Sequence, residues 1–161
     1  MTPNLVSDRH LFRHTLAALA YRGTKTMRGA SPGFATFKLD AATRTPVEIV
    51  AHLGDLFDWA LSMAKGAQRW HTATPLVWDA EVARFTASLA AFDAYVASGA
   101  EVKAPLERLL QGPVADALTH VGQLAMLRRL AGEPIVGENY FVAHVAIGRL
   151  SLDQAPPVRT F

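Results

Sequence analysis

The chain has 161 residues, half of them hydrophobic and 19% charged, with a formal net charge of +2; this supports one ordinary folded domain with a substantial core and argues against disorder. The absence of cysteine excludes disulfides and thiolate metal ligation within the chain, and the scattered Lys and Arg, with Arg128-Arg129 the only adjacent pair, do not form the dense basic stripe of a nucleic-acid groove. No apolar run approaches the roughly 20 residues that span a bilayer and the N-terminus lacks a signal-peptide layout, so a cytoplasmic chain with no nucleic-acid or membrane partner is expected.

Four long amphipathic helices are predicted. The first covers about residues 5–28, where Phe12, Leu16 and Leu19 share a face and Gly29 with Ser31-Pro32 ends the run. Gly23 inside it marks either close packing or an early end. His10 and His14 have metal-ligand spacing but point away from that face and are read as solvent-facing. Residues 29–45 form a long irregular segment whose aromatic residues either cover a pocket mouth or cap the core.

The second helix, about 46–65, opens on Thr45-Pro46-Val47-Glu48, a capping box with proline at the first helical position. Val50, Leu53, Leu56, Phe57, Ala60 and Leu61 form its buried stripe. His52 flanks that stripe, and Glu48 is assigned to the cap rather than to a metal. Asp55 and Asp58 are expected in solvent, and Gly66 is the stop. Trp70 and His71 lie in the next connection; His71 there either lines a pocket or is simply exposed.

The third helix, about 79–98, carries a core stripe of Val82, Phe85, Leu89, Phe92 and Val96, with Asp79 or the residues just before it as cap. A turn or two over 105–111 precedes Gly112-Pro113, which is expected to break and restart the chain as the fourth helix, about 113–131. Residues 138–147 are expected to form a short fifth helix with His144 as a packing residue. The Pro-rich tail from Ser151 is expected to lie extended over the bundle or a partner. Four long apolar-striped helices without a convincing strand indicate an all-α, up-and-down four-helix bundle.

Chemistry concentrates on the fourth helix. Asp116 and His120 are four residues apart and share one face, over an inward row with Leu124 and Leu127. A carboxylate and an imidazole there cost free energy unless something satisfies them, and a metal ion is one candidate. Mutual pairing, or Asp116 acting at the helix N-terminus, is the other. His52 and His120 each lie about 9–11 Å from the start of their helices. In an up-and-down bundle the second and fourth helices are parallel, so the two histidines would fall at one level. Trp59, Met63 and Gln123 are expected to line a pocket around the site.

The residues Thr45-Pro46…His52-Leu53, with Asp116-x-x-x-His120-x-Gly122-Gln123-Leu124, Arg128 and Gly132, resemble the DinB-like family of metal-dependent enzymes over nearly the whole chain. The resemblance implies a four-helix bundle, often dimeric, that holds a divalent metal by three helix-borne histidines. Asp116 here stands where the pattern has the first histidine of the fourth-helix pair. The implied ligand set is His52, Asp116 and His120, and two histidines with one carboxylate suit zinc, nickel, iron or manganese. The carboxylate offsets part of the cation's charge, so a bound water should be less acidified than at a three-histidine site. By the same resemblance the reaction is a thiol-dependent S-transfer using a low-molecular-weight thiol; metal-assisted hydrolysis is equally compatible with the open coordination positions. A non-catalytic ligand- or partner-binding bundle is the alternative.

Overall fold

A computed structural model describes residues 7–161. Four long helices form an all-α bundle: α1 (Asp8–Met27), α2 (Pro46–Ala64), α3 (Trp78–Ala97) and, after a short α4 (Leu106–Leu109), α5 (Ala115–Leu130). Their ends fall within about two residues of the expected ones, except that α1 starts at Asp8, with Ser7 as its cap, rather than at about 5; residues 5 and 6 lie outside the described residues. No helix among the described residues is long and apolar enough to cross a membrane.

Local chemistry sets the helix ends. Thr45 Oγ1 accepts from Glu48 N at 3.4 Å, while Glu48 Oε2 accepts from Thr45 N at 2.7 Å, so the capping box closes on both sides. Gly66, at φ +76°, takes the left-handed conformation that stops α2. At the start of α3 the cap falls on the residues just before Asp79, the second of the two expected positions. Val77 is the capping position and offers no side-chain acceptor, and the buried Glu81 carboxylate instead accepts from Leu76 N at 2.8 Å.

Gly112-Pro113 does not break the chain. Leu110–Val114 forms a π-helical turn that joins α4 to α5 without interruption. The wider turn accommodates Pro113, which lacks an N–H and would crowd the carbonyl four residues earlier in a regular helix.

The helices do not alternate up and down. Arg9, at the start of α1, donates to the carbonyl of Val96 near the end of α3, and Arg13 pairs with Asp93, so α1 and α3 are antiparallel. Near the starts of α2 and α3, Arg84 bonds Asp55 and the Ala51 carbonyl; near their ends, Lys65 lies over the Tyr95 ring. These two helices are therefore parallel. Gly23 of α1 packs on Val121 of α5, and just beyond the two C-termini Ser31 bonds Glu133, which makes α1 and α5 parallel. It follows that α2 and α5 are antiparallel, and that α1 and α2 face each other across the bundle's diagonal.

Residues 28–45 make the crossing, and Phe34 plugs the end of the core. Its ring lies 5.6 Å edge-on to Trp78, and the Arg128 guanidinium sits 5.3 Å from its centre. Gly23 is a packing glycine: a Cβ there would meet Val121 at 3.3 Å.

Asp55, expected in solvent, is 4% exposed. It pairs with Arg84 at 3.0 Å and accepts from Ala73 N at 3.1 Å, while Asp58 is exposed as expected. Arg84 also pairs at 2.8 Å with Glu81, which is fully buried. A Cβ at Gly54 would fall 2.7 Å from the Arg84 Cζ, so a glycine is what lets the guanidinium lie against α2.

The short fifth helix expected at 138–147 does not form. The segment holds a 3-10 turn at Tyr140–Val142, and His144 is exposed rather than packed. This stretch docks on α1 through Glu138, which accepts from Tyr21 Oη at 2.9 Å and Lys25 Nζ at 2.6 Å, and through Tyr140, edge-on to the Tyr21 ring. Burial and the bond to Glu138 push the Tyr21 phenol up to about 12. The tail returns extended, with Thr160 bridged to Glu138.

Candidate metal centre

His52 is placed by the closed capping box that starts α2. Its neighbours Ile49, Leu53 and Leu56 are buried and set the rotation of the helix, leaving the imidazole at the edge of the core facing α5. On α5, Ala117, Val121, Leu124 and Leu127 turn inward, and the row of Asp116 and His120 then meets α2. The Nε2 of His52 lies 3.5 Å from Asp116 Oδ2, and the Nε2 of His120 lies 3.6 Å from Asp116 Oδ1. The two imidazole rings are edge to face, with centroids 4.7 Å apart. One donor atom from each of the three residues falls within 4.8 Å of the others.

These spacings bear on the two sequence readings. Charge-assisted hydrogen bonds between imidazole and carboxylate close to about 2.7–2.9 Å, and the observed gaps are too wide for that. Two ligands about 2.0–2.1 Å from one tetrahedral ion stand about 3.3–3.4 Å apart, close to each of the two His–Asp116 gaps, which run to different carboxylate oxygens. The donor set, two imidazole nitrogens and a carboxylate oxygen, is one that zinc and its first-row neighbours accept.

Gln123 supports the arrangement. Its Oε1 lies 2.7 Å from His120 Nδ1. An accepting amide oxygen there puts the proton on Nδ1 and leaves the Nε2 lone pair for the shared centre. Gln123→Leu is therefore expected to weaken metal binding by roughly 10- to 100-fold with α-helical content unchanged; competition with a chromophoric chelator measures it.

Burial holds the His52 imidazole below its ordinary 6.5, with the neighbouring His120 and Arg44 acting in the same direction and Asp116 opposing. His52 is thus neutral at pH 7, the form that ligates. A group whose folded pKa is depressed binds more protons when unfolded. The metal-free chain should keep the full His52 contribution above pH 6.5 and lose it as pH falls through the window below. Thermal melts of the chelated wild type should show this loss, and His52→Gln should flatten it.

Trp70 is the aromatic residue nearest the trio. Its ring lies 5.7 Å from that of His52 and 5.6 Å from Trp59, in a connection tied down by the Asp55–Ala73 bond. Trp59 packs edge-on against Trp70. Met63 packs on the core eleven positions past His52, about 16 Å along the helix, and does not line the site. His10, His14 and His71 are exposed.

Gln123 also lines a groove of about 440 Å³ that starts at His120. Its walls bring in Arg44, Leu39, Met126 and Leu130, none of which was singled out from sequence. A signal existed: Asp116, His120, Gln123, Leu127 and Leu130 follow one another at three- and four-residue steps, a single stripe along α5.

Comparison with protein-family models, with curated proteins and with solved structures finds no match to this chain.

Proposed function

We propose that this chain is a divalent-metal-binding enzyme of the DinB-like type, with His52, Asp116 and His120 as the ligands and a small thiol or a water as the activated group. The observation that carries the reading is the clustering of the trio: one donor atom from each residue lies within 4.8 Å of the others, and each imidazole Nε2 stands 3.5 or 3.6 Å from a carboxylate oxygen, wider than a charge-assisted hydrogen bond.

A bound divalent ion would supply Lewis acidity and hold a thiolate or hydroxide ready for attack. His52 and His120 present neutral imidazole nitrogens, and Gln123 holds the His120 tautomer. Asp116 removes one unit of charge from the site; because it is 47% exposed, it keeps one side of the centre open to an incoming molecule. With no cysteine in the chain, a reacting thiol comes from a small molecule. The groove beside His120 offers the second reactant a largely apolar surface. By the DinB resemblance the chain also pairs as a homodimer.

The test is turnover. Metal-loaded protein is assayed against a panel of alkyl, epoxide and ester electrophiles, each with and without a low-molecular-weight thiol. Thiol-dependent consumption that disappears in chelator supports S-transfer, and thiol-independent ester cleavage with the same chelator sensitivity supports hydrolysis. Metal-loaded protein inert to the whole panel would favour a non-catalytic binding bundle.

A further inference from the structure

The groove beside the trio has a composition of its own. One wall is the apolar edge of α5, with Leu127 and the half-exposed Met126 and Leu130; Ile49 of α2 faces it. The polar groups at its ends are donors. Arg44 makes no ion pair or hydrogen bond among the described residues. Gln123 spends its Oε1 on His120, which leaves its Nε2 donor without a partner among the described residues. The Thr43 hydroxyl is occupied by the Asp40 backbone, at 3.1 and 3.0 Å. No carboxylate lines the groove, and the nearby Glu48 is turned back into its capping box.

An apolar trough with a guanidinium at its rim that makes no ion pair among the described residues suits a ligand with an apolar body and one anionic group. We propose that the groove selects amphipathic anions, with the head group on Arg44, the apolar body along Ile49, Leu127 and Leu130, and the far end delivered to the His52–Asp116–His120 centre. The identity of this ligand as the reacting partner rests on the metal-centre reading; the anion selectivity of the groove does not.

The probe is octanoate, titrated into the full chain with zinc and again in chelator, and followed by amide chemical shifts. Octylamine, cationic at neutral pH, and acetate serve as comparators. Octanoate is expected to shift Gln123, Leu127 and Leu130 and to bind about tenfold or more tightly than either comparator; the exposed Arg44→Gln variant should weaken it about tenfold, as loss of one charge-assisted contact does. That dependence should persist without zinc. Equal binding of octylamine, or octanoate binding undiminished in Arg44→Gln, overturns the proposal, the latter also covering a carboxylate held by zinc alone. A chain that takes up no metal yet keeps Arg44-dependent octanoate binding would sink the metal reading and leave this one standing.

Discussion

His52→Ala should lower zinc affinity by more than the roughly 10- to 100-fold that losing an outer-shell partner such as Gln123 costs. Asp116→Asn should do nearly as much, although it keeps the side chain's shape. The pair separates ligation from ordinary packing. Asp116 is half exposed and stands 3.5 and 3.6 Å from the two imidazoles, so as a mere ion-pair partner it would contribute no more than the fraction of a kcal/mol typical of exposed pairs. The melting temperature of metal-free Asp116→Asn should therefore stay within a few degrees of wild type while metal uptake collapses. Chelator competition on both variants provides the measurement; unaltered affinity in either one removes that residue from the ligand set.

Arg84→Leu should be the most destabilising single change in the bundle, by about 3–5 kcal/mol, the range for stripping the partner from a buried ion pair. Glu81 is fully buried and Asp55 is 4% exposed, and Arg84 bonds both, at 2.8 and 3.0 Å. For a domain of this size the fall in melting temperature is on the order of 10 °C. Adding Asp55→Asn and Glu81→Gln to Arg84→Leu should recover part of the loss, because neutral amides cost less to bury unpaired. A fall of under about 2 °C in Arg84→Leu would mean that the two carboxylates are solvated. The same cluster anchors the connection bearing Trp70 through the Asp55–Ala73 bond, so loosening it should also be felt at His52.

The helices were legible because their signals are local. Thr45 with Glu48, the three- and four-residue stripes, and Gly66 each act within a turn or two of chain. What escaped was whatever depends on a distant partner. Asp55 reads as solvated from its place on α2, and only Arg84 of α3 makes its burial affordable. Pro113 reads as a break, yet a π turn absorbs it. Residues 138–147 have helical periodicity, but Glu138 is claimed by Tyr21 and Lys25 of α1.

The candidate trio is the instructive case. His52, Asp116 and His120 do come together, although the sequence argument for their common depth assumed parallel second and fourth helices, and α2 and α5 run antiparallel. The grouping tolerates the reversal because His120 lies near the middle of the continuous helical stretch from Leu106 to Leu130. A residue there stays near the same level when its helix is inverted; one near an end would not. Arg44 and the groove escaped because the segment before α2 carries no periodic signal, and only the crossing of the bundle brings it beside α5.

The central claim is that His52, Asp116 and His120 hold a metal, and the most direct measurement is the metal content of protein purified without a histidine tag, paired with cobalt(II) titration of the metal-free chain. About one divalent ion per chain is predicted, with visible cobalt bands of an open nitrogen–oxygen site that vanish in His52→Ala. Protein that retains no metal, and that gives no cobalt spectrum beyond the hydrated ion, would contradict the account.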